Sequence, residues 1–341
     1  MPLLDTSLVP IVSVIVPAFN CDAYLDAALA SLSAQTINDI EIIVVDDGSI
    51  DQTANVAAAY AKVDPRVHLI RRESASGRPS CARNDGIKMA RGRYLAMHDA
   101  DDISLPTRLA TCISAMERTG AHFAFADYRH TYDDTGEMSI NTVLENTDFL
   151  SRAAEYLTAI SDDVFLCSPQ FPAFLLTSTA VNTPTVVFDR ELLKAERIWF
   201  DESLVYSEDV DLWFRLAQKT PFVFVNQVHS FNRRHSASLT ASNPTSTQIG
   251  AIAVRRNQLA KLRPTLSQRE LAAANRAMAR LLRDLAYSSW CKGDRHGARS
   301  AFRESWRFKP TFSAALGYLK AFIARDAAIA GARRLGIVPG A

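Results

Sequence analysis

The run Met97-His98-Asp99-Ala100-Asp101-Asp102 puts three carboxylates within four positions, directly after the apolar stretch Tyr94–Met97. Like charges this close repel one another, and packing gives a fold little reason to keep them. Hard divalent cations such as Mg²⁺ and Mn²⁺ take oxygen ligands and leave positions for phosphate oxygens. The run therefore points to a metal-bound phosphorylated ligand. Two more acidic groups stand at similar places: Asp46-Asp47 closes an apolar run, and Glu208-Asp209-Val210-Asp211 opens one. A carboxylate held beside a reacting hydroxyl can take its proton.

For these groups to meet, the elements before them must end on one edge. Residues 11–16 form an apolar, β-branched run closed by Pro17, and residues 40–45 form a second, closed by Asp46-Asp47. Residues 67–70, 94–97 and 122–126 read as three more strands. Helical spacing lies between them: Leu25, Ala28, Leu29 and Leu32 with Asp22 as N-cap, a helix after the capping-box form Ser49-Ile50-Asp51-Gln52, one near 81–90 and one over 106–119. Near-continuous apolar strands alternating with helices predict an α/β fold, with a mostly parallel sheet covered by helices on both faces. Such sheets bind ligands outside the carboxyl ends of their strands, where both the 46–47 and the 99–102 clusters fall.

Residues 128–182 are weakly periodic, with a turn at Asp133-Asp134-Thr135-Gly136, and read as an insertion shaping a substrate site. Strand character returns at 185–188 and 222–225. Between them, 206–216 reads as a loop entering a helix with Leu212, Leu216 and Ala217 facing inward. From about 247 the pattern is helical, broken at Pro264 and Pro310. Lys292-Gly293-Asp294 separates two helices, and Ala298, Phe302 and Trp306 would pack as a stripe on the second. The expected division is 1–245 for the α/β domain and 246–341 for a basic, all-helical C-terminal region.

At 341 residues, a prior of roughly 150 per domain also gives about two domains. Hydrophobic content of 48% and charged content of 22% are those of a globular protein. The five cysteines (Cys21, Cys81, Cys112, Cys167 and Cys291) are scattered and form no CxxC pair, which argues against zinc and against a disulfide framework. No signal-peptide pattern opens the chain, and no apolar run reaches the roughly 18 residues needed to span a bilayer. A cytoplasmic location is expected, with peripheral attachment at the inner face of the membrane left open. The net charge of +1 conceals a split: residues 1–250 carry 20 Lys/Arg and 32 Asp/Glu, a net of −12, and residues 251–341 carry 18 and 5, a net of +13. A basic region of this kind needs a partner: an acidic face of the protein itself, an anionic membrane or a nucleic acid. No basic-aromatic recognition motif stands out, so nucleic acid is not the expected one.

Five motifs occur in order: Val14-Ile15-Val16-Pro17-Ala18-Phe19-Asn20, Val45-Asp46-Asp47-Gly48-Ser49-Ile50-Asp51, Ala82-Arg83-Asn84-Asp85-Gly86, Asp99-Ala100-Asp101-Asp102, and Ser207-Glu208-Asp209-Val210-Asp211-Leu212-Trp213. Together they resemble the family 2 glycosyltransferases of bacterial polysaccharide biosynthesis, inverting enzymes with the GT-A fold. The resemblance covers about residues 11–240. It implies that Pro17, Phe19 and Asn20 line a nucleobase pocket. Many relatives carry Tyr where Phe19 stands, so a hydroxyl contact is missing, and Phe19 reads equally as a core residue. Asp47 would accept a hydrogen bond from the base; turn chemistry is the other reading of that position. Arg83 and Asn84 would meet a phosphate or the base. Asp99 would lie near the ribose or the metal edge, and Asp101 would be the main ligand of Mn²⁺ or Mg²⁺, with Asp99 and His235 beside it. Asp102 reads as a helix cap and His98 as a core histidine. Asp209 would be the general base with Glu208 next to it, although carboxylates at a helix N-terminus are also favoured by the dipole. Residues 231–240 resemble a flexible loop whose Arg234 and His235 close over the diphosphate.

The implied reaction is transfer of a sugar from a nucleotide-sugar, UDP-sugar favoured, to a glycan or lipid-linked acceptor. A nucleotidyltransferase shares the sheet and the metal carboxylates, but it opens with a Gly-rich, basic loop where this chain has Pro17-Ala18-Phe19-Asn20. A non-catalytic nucleotide-sugar-binding or scaffold protein is the third reading, and intact Asp101 and Asp209 speak against it.

Overall fold

Val12–Ala18 is buried along almost its whole length, and a strand buried on both faces needs partners on both edges and helices above and below. In the computed structural model, which describes residues 9–133 and 135–322, it has them. The chain order is β1 (Val12–Ala18), α1 (Asp22–Ser33), β2 (Ile40–Asp46), α2 (Thr53–Val63), β3 (Val67–Arg71), α3 (Pro79–Met89), β4 (Tyr94–Met97), β5 (Ile103–Ser104), α4 (Arg108–Thr119) and β6 (Phe123–Tyr132). The insertion follows: short helices α5 (Val143–Asn146) and α6 (Phe149–Ala153), hairpin strands β7 (Leu157–Ser161) and β8 (Val164–Cys167), and α7 (Phe171–Leu175). Then come a 3-10 turn at Thr183–Thr185, β9 (Val187–Asp189), α8 (Arg190–Glu196), α9 (Glu208–Ala217) and β10 (Phe222–Arg234).

The strands join in the order β3-β2-β1-β4-β9-β6-β10-β8-β7, with β5 on β10. The β3-β2-β1-β4 half is parallel, as is β6 with β10, while β9 runs antiparallel to both β4 and β6. The sheet is thus mixed, with a parallel half that carries the 46–47 and 99–102 clusters at its carboxyl edge. Leu25, Leu29 and Leu32 of α1 pack with Val12, Val14 and Val16 in the main core, Ala28 is buried as well, and Leu212, Leu216 and Ala217 of α9 are buried as their spacing predicts.

Several local expectations change. Asp22 is the first residue of α1 and not its cap; its carboxylate accepts from Gln52 N at 3.1 Å. Ser49 does not cap α2, which starts later, at Thr53. Ser49 Oγ instead accepts from Asn20 N at 2.9 Å, and Asp51 accepts from Thr53 N at 2.9 Å. The segment read as a flexible loop from 231 is strand as far as Arg234. Polar Asn226 and Gln227 interrupt the apolar pattern, but β10 bulges there and resumes its ladder on β6.

Contacts divide the chain into a first unit running to Ser238, apart from Leu176–Ser178, and a second that begins at Leu239 and includes Leu176–Ser178. The second unit is helical: α10 (Leu239–Ser242), α11 (Pro244–Leu262), α12 (Gln268–Cys291), α13 (Arg295–Phe308) and α14 (Phe312–Lys320). Ser267 and Glu270 form a capping box on α12, and Asp294 caps α13. Ala298 and Phe302 are buried as expected. Trp306 is 45% exposed, and its neighbour Ser305 takes the inward position, donating to Ala279 O at 2.8 Å. Among the described residues, no helix is long and apolar enough to cross a membrane. The five cysteines are free.

Candidate active site

The loops after β1 and β2 brace each other. Asn20 adopts φ 47°, a left-handed conformation that Asn tolerates, and its Oδ1 accepts from Ile50 N at 3.0 Å. Gly48, at φ 74°, brings its backbone so close to the 73–80 loop that a Cβ would stand 2.6 Å from Ala75 N. Asp46 is fully buried and accepts from Ser49 N at 3.0 Å, so it holds the turn. Asp47 accepts from Ser76 N at 3.0 Å and Ser76 Oγ at 2.8 Å, and it pairs with Arg72 Nε at 2.8 Å. It therefore anchors the 73–80 loop over the strand ends. Phe19 is 49% exposed, which overturns the core reading of its ring. Pro17 is half-buried at the end of β1.

Arg83 is the hub of the next layer. Its position early in α3 points a guanidinium, 5% exposed, at two carboxylates: Glu208 at 2.6 Å and Asp99 at 2.9 Å. The Phe200 ring lies 5.4 Å beneath it. Burial pulls the Arg83 pKa down, but Asp99, Glu208 and Asp209 outweigh it and raise the guanidinium above its ordinary value. Burial lifts the Glu208 carboxyl to about 7 against the pull of Arg83, with Asp209 adding to the rise. Asp99 is raised too, again by burial first, with Arg83 opposing and Asp101 assisting. Asn84, expected beside the donor, faces elsewhere. Its amide hydrogens go to Phe200 O at 3.0 Å and Glu202 Oε1 at 2.8 Å, and its Oδ1 accepts from Phe200 N at 3.1 Å. It pins the segment that carries Phe200 under Arg83.

The three carboxylates after β4 separate by partner. Asp101 Oδ2 lies 2.9 Å from His235 Nε2. His235 is held by the Tyr24 ring, 4.3 Å away centroid to centroid, and Arg233 covers the other ring contact of Tyr24 at 5.2 Å while donating to Asp101 O at 3.0 Å. Asp102 does not cap α4. Both its oxygens are taken by Asn232 Nδ2, at 3.0 and 3.1 Å, and by Arg233 N at 2.8 Å, so it ties the acidic loop to β10. His98 is fully buried and its ring meets Asp102 O at 3.1 Å; burial drives its pKa down to about 3, so it is a neutral core histidine. Among the described residues, no three His, Cys, Asp or Glu side chains stand together as a ready metal cage. Asp101 and His235 nonetheless offer an oxygen and a nitrogen side by side, a donor set that Mn²⁺ accepts. Asp99 has one oxygen committed to Arg83, and Asp102 has neither to spare.

Asp209 sits in the first turn of α9. Its Oδ2 accepts from Thr183 Oγ1 at 2.8 Å and its Oδ1 from Val210 N at 2.7 Å. Thr183 belongs to the 3-10 turn before β9, and the fully buried Arg108 of α4 fixes that turn. One Arg108 nitrogen donates to Met97 O at 3.0 Å and to Pro184 O, linking the end of β4 to the Thr183–Asp209 side of the site. Arg234 ends β10, exposed, beside the Tyr128–His130 ring pair of β6.

The residues brought together are thus Arg83, Asp99, Glu208 and Asp209 on one side, and Asp101, His235, Arg233 and Tyr24 on the other. Thr183, Arg108, Phe200, Ser76, Tyr24 and Asn232 were missed in the sequence. Their partners lie far along the chain, as with Thr183 and Asp209, 26 residues apart, or Asn232 and Asp102, 130 apart, and no local spacing marks such pairs.

Residues 13–172 match the family profile described as Glycosyl transferase family 2. Among curated proteins, the chain is 45% identical over 95 residues to the uncharacterized glycosyltransferase EpsJ of Bacillus subtilis, covering 28% of this chain and 27% of that one. It is 32% identical over 209 residues to the succinoglycan biosynthesis protein ExoO of Rhizobium meliloti, covering 59% and 54%. The chain therefore spans between about a quarter and two thirds of the length of the curated relatives it matches. Among solved structures it superposes on S. aureus TarS (residues 1–349, in complex with UDP-GlcNAc) with a TM-score of 0.61 at 18% identity, covering 95% of this chain and 92% of that one. It also superposes on the mannosyltransferase PcManGT of Pyrobaculum calidifontis, in complex with GDP-Man and Mn²⁺, with a TM-score of 0.56 at 17% identity, covering 97% and 84%. At such identities the structures speak for the fold, which is GT-A. Residues 13–172 thus carry the match to glycosyl transferase family 2, and the chain is similar to curated proteins named as glycosyltransferases.

Proposed function

We propose that the protein transfers a glycosyl group from a nucleoside-diphosphate sugar, a UDP-sugar favoured, to a hydroxyl of a glycan or lipid-linked acceptor, with inversion at the anomeric carbon. The observation that carries this reading is the buried Arg83 joining Asp99, at the mouth of β4, to Glu208, next to Asp209. It fixes the donor-side loop and the base-bearing helix as one frame. Asp209, oriented by Thr183, removes the acceptor proton as that oxygen forms its bond to the anomeric carbon. The bond from that carbon to the phosphate oxygen breaks, and the diphosphate leaves with its electron pair. Arg83 is preorganised charge close to where the negative charge develops. Mn²⁺ or Mg²⁺, bound by Asp101 with Asp99 and His235, would supply further stabilisation of that leaving group.

The exposed Phe19 ring with Pro17 and the backbone of Asn20 offers a stacking wall for the base, and Asp47 braces the loop opposite. The complexes of TarS with UDP-GlcNAc and of PcManGT with GDP-Man and Mn²⁺ support a nucleotide-sugar donor and a divalent metal. The acceptor side is assigned to the 128–182 insertion, where Tyr128, His130 and Tyr132 form a ring ladder along β6. The test is a panel of nucleotide-sugars with Mn²⁺ or Mg²⁺, scored by nucleoside-diphosphate release and by thermal shift. A donor that both stabilises the protein and is turned over supports the reading. Stabilisation without turnover under any acceptor mixture favours the non-catalytic binding protein.

A further inference from the structure

Helix α14 packs the reverse of an ordinary amphipathic helix. Its small residues Ala314, Gly317 and the following Ala321 face inward and are buried, while Phe312, Leu316 and Leu319, at i, i+4 and i+7, share one face and are 82%, 38% and 62% exposed. The inward face has no room for anything larger: a Cβ at Gly317 would lie 2.3 Å from the Phe302 ring. Phe322 adds a further exposed ring at 54%. Apolar residues repeated on one helical face and left in water mark an interaction site. Along the chain from 305 to 322 the charged side chains all have one sign. Residues 305–322 include Arg307, Lys309 and Lys320 and no acidic residue, and the exposed Arg303 of α13 donates to Tyr318 Oη at 3.1 Å. The whole of 251–341 has a net charge of +13.

We propose that this face of α14 is a docking surface for an anionic lipid bilayer, with Phe312, Leu316, Leu319 and Phe322 entering the headgroup boundary and Arg307, Lys309 and Lys320 meeting lipid phosphates. Large apolar side chains rimmed by Lys and Arg are the pattern of an interfacial helix. A second copy of the chain would bring the same positive rim against itself, which charge repulsion opposes. A nucleic acid would use the rim and leave the apolar stripe in water. The surface is independent of the glycosyl-transfer reading, since none of its residues belongs to that site.

The test is co-sedimentation of the full chain with phosphatidylcholine vesicles, with and without phosphatidylglycerol. Wild type should pellet with the anionic vesicles and stay in solution with the neutral ones. Phe312→Glu/Leu319→Glu should weaken anionic-vesicle partitioning by at least about tenfold with no change in melting temperature, because both positions already lie in water. Lys309→Glu/Lys320→Glu, which leaves the apolar stripe intact, should weaken it as well and serves as the second variant should the first lose its fold. Wild type that stays in solution with anionic vesicles, variants that pellet as wild type does, or a wild-type dimer in vesicle-free solution that Phe312→Glu/Leu319→Glu dissolves would each overturn the proposal.

Discussion

Arg83→Met should unfold far more easily than the loss of one side chain from a surface would suggest, and increasingly so at alkaline pH. Methionine keeps most of the volume and loses the charge. Arg83 is 5% exposed and makes two charged hydrogen bonds, of 2.6 Å to Glu208 and 2.9 Å to Asp99. Removing one partner of a buried pair costs about 3–5 kcal/mol, because the remaining charge is stranded. Here the stranded Glu208 has an exit, since its carboxyl already titrates at about 7 and can take a proton at little cost near neutrality. The loss at pH 7 should therefore sit at the lower end, about 3 kcal/mol, or roughly 6–12 °C in melting temperature for a domain of this size. The direction with pH follows from linkage. A carboxyl whose folded pKa is raised gives stability that is fully present below its unfolded pKa and is lost as pH rises through the folded one. In the wild type that loss is complete a little above 7; without Arg83 the Glu208 value climbs further and the loss continues. The gap between wild type and variant should be smallest near pH 6 and widen toward pH 9. Melting curves by circular dichroism across that range measure it. A deficit under about 1 kcal/mol, or one that stays constant with pH, would refute the hub role assigned to Arg83.

Thr183→Val removes the hydroxyl that orients Asp209. It should lower kcat about tenfold while KM and melting temperature stay close to wild type, as steady-state kinetics and a thermal scan would show; an equal rise in KM would mean that Thr183 binds substrate instead. Glu208→Gln should flatten the fall in stability between pH 5 and 8 that the raised Glu208 carboxyl produces, and an unchanged slope in pH-dependent melting would assign that fall elsewhere. Gly317→Ala places a Cβ 2.3 Å from the buried Phe302 ring and should destabilise the second unit by about 1–3 kcal/mol. Faster hydrogen exchange in α13 and α14 would report it, and unchanged protection would show that the ring can yield.

How far the sequence could be read depended on the range of the interaction. The parallel half of the sheet was legible, because Val12–Ala18 and Ile40–Asp46 are near-continuous apolar runs, the first closed by Pro17 and the second ending in a carboxylate. The antiparallel β9 was less so, since a three-residue strand announces neither its direction nor its neighbours. The long β10 was cut short by polar residues at a bulge that only the facing β6 explains. Within the site, carboxylates after the strands singled out Asp47, Asp99 and Asp101, while Arg83, Glu208 and Asp209, which lie on helices, were singled out through the family resemblance. Which of them face a ligand and which face each other was not legible. Asp102 meets Asn232 and Asn84 meets Phe200 because the chain returns from more than a hundred residues away. The Ser49 capping box failed for a local reason: the Asn20 backbone competes for the same hydroxyl.

The proposed reaction stands or falls with Asp209 as the base of a glycosyl transfer from a nucleotide-sugar. The most direct measurement is nucleoside-diphosphate release by wild type and by Asp209→Asn across one donor panel, with Mn²⁺ present and melting temperature recorded on the same samples. Proton removal by a positioned side chain contributes about 10²–10⁴-fold. With Asp209 as the base, the wild type should release nucleoside diphosphate from at least one donor, and Asp209→Asn should lose activity by that order while keeping donor-induced stabilisation. Turnover by Asp209→Asn within a few-fold of wild type would contradict it.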